Sequence, residues 1–138
     1  MNISNIIIYK DQIISPLIGA FQAMLINSLI YFISKSLGFI PKNIYFFGTN
    51  SFSITQLFIT EIFLGIISVL ALIYLTNKYE KNLNSYFMYF TIFVLAIIAV
   101  FPILVTFASL QLIVTIELMN VISAICIYAS VSRRIFNK

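Results

Sequence analysis

Two acidic residues stand where acids are costly. Glu61 lies in the apolar run Ile54–Thr76 and Glu117 in the run Ser109–Val131. An acid at the centre of a membrane helix costs roughly 2.5–3.5 kcal/mol on insertion scales. Each falls seven or eight residues into its run, roughly 10–12 Å below the same edge at 1.5 Å per residue. Asn120 follows Glu117 by one turn, and Asn27 sits mid-run in Pro16–Leu37 on a stripe with Gly19, Ala23 and Ser34. Glu61, Gly65 and Ser68 form a similar stripe, and small residues so placed let helices approach closely. No Lys or Arg shares the depth of the acids, so at least one of them is expected to carry a proton. Paired acids that exchange a proton for a cation or substrate are what a coupled transporter needs. Asn27, Glu61, Glu117 and Asn120 are therefore the candidate ion or substrate ligands. Gln22, Gln56, Thr60, Gln111, Thr115 and Ser123 surround them as outer members. The competing role is structural: acid and amide groups bond helices together, at about 0.6 kcal/mol per contact on average.

Long helices must position these residues. Of 138 residues, 62% are hydrophobic and 9% charged, and the mean hydropathy is +1.08. A soluble domain carries about 25% charged residues, and this composition also excludes disorder. Four runs, 16–37, 54–76, 85–106 and 109–131, each reach the ~20 residues needed to cross a bilayer. They lack the period-2 alternation of barrel strands. The fold expected is all-α, a single polytopic membrane domain built as a four-helix bundle. Ser15 as N-cap and Pro16 at N1 are expected to open the first helix, with Met1–Ile14 as a short interfacial tail. A cleaved signal peptide is not expected, since the apolar stretch is long and no A-x-A site follows.

Lys10, Lys78, Lys81, Arg133, Arg134 and Lys138 fall on one side of these spans, and Lys35 and Lys42 on the other. That imbalance puts both termini in the cytoplasm. Tyr74, Tyr79, Tyr86, Phe87, Tyr89 and Tyr128 form the inner aromatic belt, and Tyr31, Phe32, Phe39, Tyr45, Phe46 and Phe47 the outer one. The outer loop 38–53 is expected to be a plain interfacial loop, with a lid that dips into the membrane edge as the lesser alternative. Pro102 should kink the third helix, and a very short turn at Phe107-Ala108 makes helices three and four an antiparallel hairpin. Gln56-Leu57-Phe58-Ile59-Thr60 faintly echoes Gln111-Leu112-Ile113-Val114-Thr115, and Ile67-Ser68 echoes Ile122-Ser123 at the same offset. Parallel repeats of this kind occur in transporters.

Counting removes much chemistry. With no His and one Cys, haem or zinc ligation through imidazole, a Ser-His-Asp triad and a CxxC pair are excluded. Four glycines form no phosphate-binding motif. The basic residues flank apolar runs instead of lining one face, which argues against nucleic acid. A lipid-modifying enzyme would need the His, Asp or Arg clusters this chain lacks. No enzymatic activity, metal or cofactor is therefore expected. The abundance of Ile, 28 residues by count, with Asn and Lys, points to an AT-rich prokaryotic genome and a plasma membrane. The leading expectation is proton- or cation-coupled transport of a small solute through the carboxylates. The alternative is a non-enzymatic membrane partner, such as an immunity protein, assembly factor or regulatory subunit. A homodimer or another membrane protein is the partner expected beyond the lipid bilayer.

The small multidrug-resistance exporters also have four short helices and a membrane Glu, but their acid lies in the first helix, where this chain has only Gln22 and Asn27. The whole chain resembles a group of uncharacterised bacterial four-helix membrane proteins, a domain family of unknown function. The resemblance rests on Ser15-Pro16-Leu17-Ile18-Gly19-Ala20, on Pro102 before a short outer turn, on Leu118-Met119-Asn120 and on the final Arg133-Arg134. Members often carry a His after that Met, where this chain has Asn120, so imidazole chemistry would be absent here. The resemblance implies a four-helix fold in a bacterial plasma membrane and supplies no activity.

Overall fold

A computed structural model describes residues 3–41, 45–46, 50–51, 53–100 and 109–136. Four helices dominate them: α1 (Ile3–Ser36), α2 (Ile54–Lys78), α3 (Leu83–Val100) and α4 (Leu110–Val131). Each contains a segment long and apolar enough to cross a membrane, Lys10–Ser36 in α1, the whole of α2 and α3, and Leu110–Phe136 from α4 onward. A two-residue ladder between α1 and α2 pairs β1 (Tyr45–Phe46) with β2 (Asn50–Ser51), antiparallel. Pro102, the Phe107-Ala108 turn and residues 42–44, 47–49 and 52 of the outer loop lie outside the described residues.

Local sequence sets the helix ends. Ser53 opens α2 through a capping box: Gln56 N donates to Ser53 Oγ, and Gln56 Oε1 accepts from the Ser53 amide at 3.0 Å. That reciprocal pair satisfies two otherwise orphaned donors. Ser109 caps α4 by accepting from Leu112 N at 3.2 Å. The end of α1 is a Schellman motif, in which Phe39 N donates to Ser34 O at 2.9 Å and Gly38 N to Lys35 O at 3.2 Å. Gly38 sits at φ 75°, which a side chain would resist.

The start of α1 corrects the sequence reading. The helix runs unbroken through Pro16 instead of beginning there, and its segment long and apolar enough to cross a membrane starts at Lys10. A proline inside a helix withholds the amide that would bond the carbonyl four residues back, here that of Gln12. Packing against α4 holds the turn regardless. Gln12, Ser15 and Pro16 are fully buried, and Ser130 Oγ donates to the Ser15 carbonyl at 2.7 Å. Transmembrane helices keep prolines when a neighbouring helix supplies such contacts.

The central helix is α1, packed between α2 and α4 and antiparallel to both. Glycine sets the spacing. A Cβ on Gly19 would stand 2.5 Å from Ile127 Cα and 2.7 Å from the Cys126 carbonyl, and one on Gly65 would stand 2.9 Å from Ala20 Cβ. Two apolar clusters lie along this axis, Ala20, Leu64, Leu72, Phe87, Ile127 and Val131 in one, and Tyr31, Ile40, Leu57, Leu112 and Met119 in the other. Among the described residues of α3 only Phe87 is buried. It stacks on Tyr128 and meets Phe136 edge-on, while Tyr128 Oη donates to Asn84 Oδ1 at 2.7 Å.

Candidate functional site

A polar junction separates the two apolar clusters where α1, α2 and α4 meet. Asn27 from α1 is fully buried, and Glu61 from α2 and Ser123 from α4 are 3% and 2% exposed. Asn27 Nδ2 donates toward Glu61 Oε1 at 2.6 Å, Ser123 Oγ at 2.9 Å and the Met119 carbonyl at 3.0 Å. The Ser123 hydroxyl lies 2.6 Å from Glu61 Oε1 and 2.8 Å from the Met119 carbonyl. That carbonyl can only accept, which fixes the nitrogen of the Asn27 amide on this side. One short helix contact on each flank brings the three groups together. Gly19 admits α4 and Gly65 admits α1, each where a methyl group would collide.

The hydrogen count at this junction is unequal. Asn27 Nδ2 brings two protons to three acceptors, and Ser123 brings one proton to two. Two further oxygens, Asn27 Oδ1 and Glu61 Oε2, are buried with no hydrogen-bond partner among the described residues. Buried polar atoms are normally paired, so the site has room in its bonding for one more donor. No Lys or Arg lies in α2 before Lys78, in α4, or in α1 between Lys10 and Lys35.

The structure joins Asn27 to Glu61 as a direct pair but does not bring all four candidate residues into one hydrogen-bonded cluster. The buried line of α4 passes through Leu112, Thr115, Met119, Ser123, Ile127 and Ser130. Glu117 lies two residues from Met119, about 200° around the helix, and is only half-buried. Neither Glu117 Oε1 nor Asn120 Nδ2 has a hydrogen-bond partner among the described residues. Asn120 instead lines a cavity of about 30 Å3 between α2, α3 and α4, together with Ser68, Thr91 and apolar side chains such as Phe90 and Ile127. The equal depth expected of the two acids does not hold either: Glu61 meets Ser123, which is six residues, or about 9 Å, along α4 from Glu117.

The outer members divide similarly. Ser123 is a direct partner of Glu61, closer to it than expected. Gln56 is used in the α2 capping box. Thr60 and Thr115 donate to carbonyls four residues back, those of Gln56 and Gln111, and Gln22 and Gln111 are exposed. The sequence reading missed the burial of Gln12 and the bond from Ser130 to the Ser15 carbonyl. The serines at 123 and 130 recur seven apart on one α4 face, which was the available signal.

Among the described residues no group of three or more His, Cys, Asp or Glu converges to hold a metal ion. Among the described residues the fold is mainly helical, with four helices long and apolar enough to cross a membrane and a carboxyl buried where α1, α2 and α4 meet. Comparison with known proteins finds no family model, no curated protein and no solved structure that matches the chain.

Proposed function

We propose that this protein is a small multi-pass transporter of a bacterial plasma membrane, coupling movement of a small solute to a proton or cation at Glu61. The observation that carries this reading is a carboxyl 3% exposed, held by Asn27 and Ser123, with no basic residue at its depth in any of the helices it touches. A charge so placed must be neutralised by something mobile, and a mobile counter-charge is what coupling requires. Both termini face the cytoplasm in this scheme, following the Lys/Arg asymmetry, and the chain binds no nucleic acid. Asn120, which lines the neighbouring cavity, and Glu117, one turn before it on α4, serve the same pathway.

The test uses purified protein in liposomes on a solid-supported membrane, with currents recorded after pH and sodium jumps. Wild type is expected to give a current that Glu61→Gln abolishes and Glu117→Gln reduces. Silence from folded wild type under both jumps would sink coupled transport. A second reading, a non-enzymatic membrane partner, draws on α3, where Phe87 alone among the described residues is buried. Such a helix offers an apolar face to another membrane protein or to a second copy of the chain. Co-purification of a stoichiometric partner, lost on polar substitution at exposed Phe93, would favour it.

A further inference from the structure

We propose that the specific occupant of the three-helix junction is a single proton, held on Glu61 Oε2 and donated to Asn27 Oδ1. This deepens the ion-coupling reading and rests on its site, although not on solute transport. The argument begins from the two orphaned oxygens. Both belong to side chains already joined by the Asn27 Nδ2 to Glu61 Oε1 bond of 2.6 Å. An amide and a carboxylic acid form a ring of two hydrogen bonds: the amide N–H donates to the acid's carbonyl oxygen, and the acid O–H donates to the amide oxygen. Here the first bond is present, and the two atoms that the second would join, Glu61 Oε2 and Asn27 Oδ1, are both buried and unpaired among the described residues. Adding the acid hydrogen gives each orphaned oxygen a role and removes the net charge, so desolvation and bonding favour the same state.

An alkali cation fits poorly. Hard cations take about six or more oxygen ligands, whereas this junction offers two free oxygens. Ser123 Oγ and the Met119 carbonyl are already engaged. The neighbouring cavity is lined by neither Asn27 nor Glu61, so it brings no water ligands to them. The groups facing Glu61 from the packed helices are Asn27 on α1 and Ser123 and Met119 on α4. Cys126 on α4 is the other titratable group in electrostatic contact with it. None supplies a positive charge. A proton needs one oxygen to carry it and one to accept from it, and two unpaired oxygens are what remain.

Glu61 can be read alone. The chain has three glutamates, Glu61, Glu80 and Glu117, so Glu80→Gln/Glu117→Gln leaves a single carboxyl for glutamate labelled at that carbon. In lipid at neutral pH, solid-state NMR is expected to report one protonated acid, with its shift unchanged when sodium replaces choline. Glu61→Gln puts an amide N–H where the acid hydrogen would be, and is expected to keep the wild-type thermal midpoint while removing its pH dependence. A carboxylate resonance, or a shift that follows sodium, would overturn the proton assignment; a sodium response would still leave cation coupling standing. A protonated acid in a protein that passes no current would instead uphold the assignment and remove the transport reading.

Discussion

Asn27 is the residue on which the junction depends most, because its one nitrogen reaches both flanking helices. Asn27→Ala leaves Glu61 with Ser123 alone and opens a void at a fully buried position. The expected loss is about 1–3 kcal/mol, above the ~0.6 kcal/mol average for a polar contact between membrane helices. Ser123→Ala keeps the Asn27 to Glu61 bond and should cost nearer that ~0.6 kcal/mol average. Glu117→Gln touches neither group and should change stability by less than about 0.5 kcal/mol. Unfolding in mixed detergent micelles measures all three, and an equal loss for Asn27→Ala and Glu117→Gln would contradict the geometry. Glu61 and Asn27 were both legible in the sequence, since an acid and an amide inside apolar runs have few reasons to be there. Their pairing was not, because it depends on which way each helix faces.

At the scale of elements, glycines decide how closely α1 lies against its neighbours. Gly19→Ala sets a methyl carbon 2.5 Å from Ile127 Cα and 2.7 Å from the Cys126 carbonyl, and backbone cannot turn aside. The helices must separate, at an expected cost of about 1–3 kcal/mol, and the Asn27–Ser123 contact weakens with them. Gly38→Ala meets no atom within 4 Å, so its penalty of roughly 1–2 kcal/mol comes only from the left-handed backbone. The two variants separate by a structural readout. Gly19→Ala should alter the Glu61 carboxyl signal, and Gly38→Ala should leave it unchanged while fraying the end of α1 in hydrogen exchange. The start of α1 was misread from the sequence. Ser15-Pro16 has the local form of a helix opening, and only the contact with Ser130 explains why the helix continues back through it.

For the whole molecule, the packing among the described residues is uneven: α1, α2 and α4 form the tight core, and α3 joins it through buried Phe87 with Tyr128, Phe136 and Asn84, and through partly buried Phe90, Val94 and Ile98. Lipid is as apolar as phenylalanine, so Phe87→Ala forfeits mainly packing contacts and no hydrophobic transfer. It should loosen α3 without unfolding the core. Hydrogen exchange in detergent is expected to quicken in α3 and stay unchanged around Asn27; faster exchange throughout would mean that α3 is integral to the core. Reporter fusions at the two ends test the proposed orientation, with both expected to read as cytoplasmic. Composition and the lengths of the apolar runs were enough to determine four helices long and apolar enough to cross a membrane, because the bilayer sets a required length and forbids unpaired backbone within it. Counting residues along each run put Glu61 and Glu117 at one depth, whereas the packed helices set Glu61 beside Ser123, about 9 Å along α4 from Glu117. Tertiary structure alone decided that Glu61 meets Asn27 and Ser123 while Glu117 lies on another face of α4. Helix rotation is set by close contacts such as Gly19 on Ile127, which join residues more than a hundred positions apart in the chain.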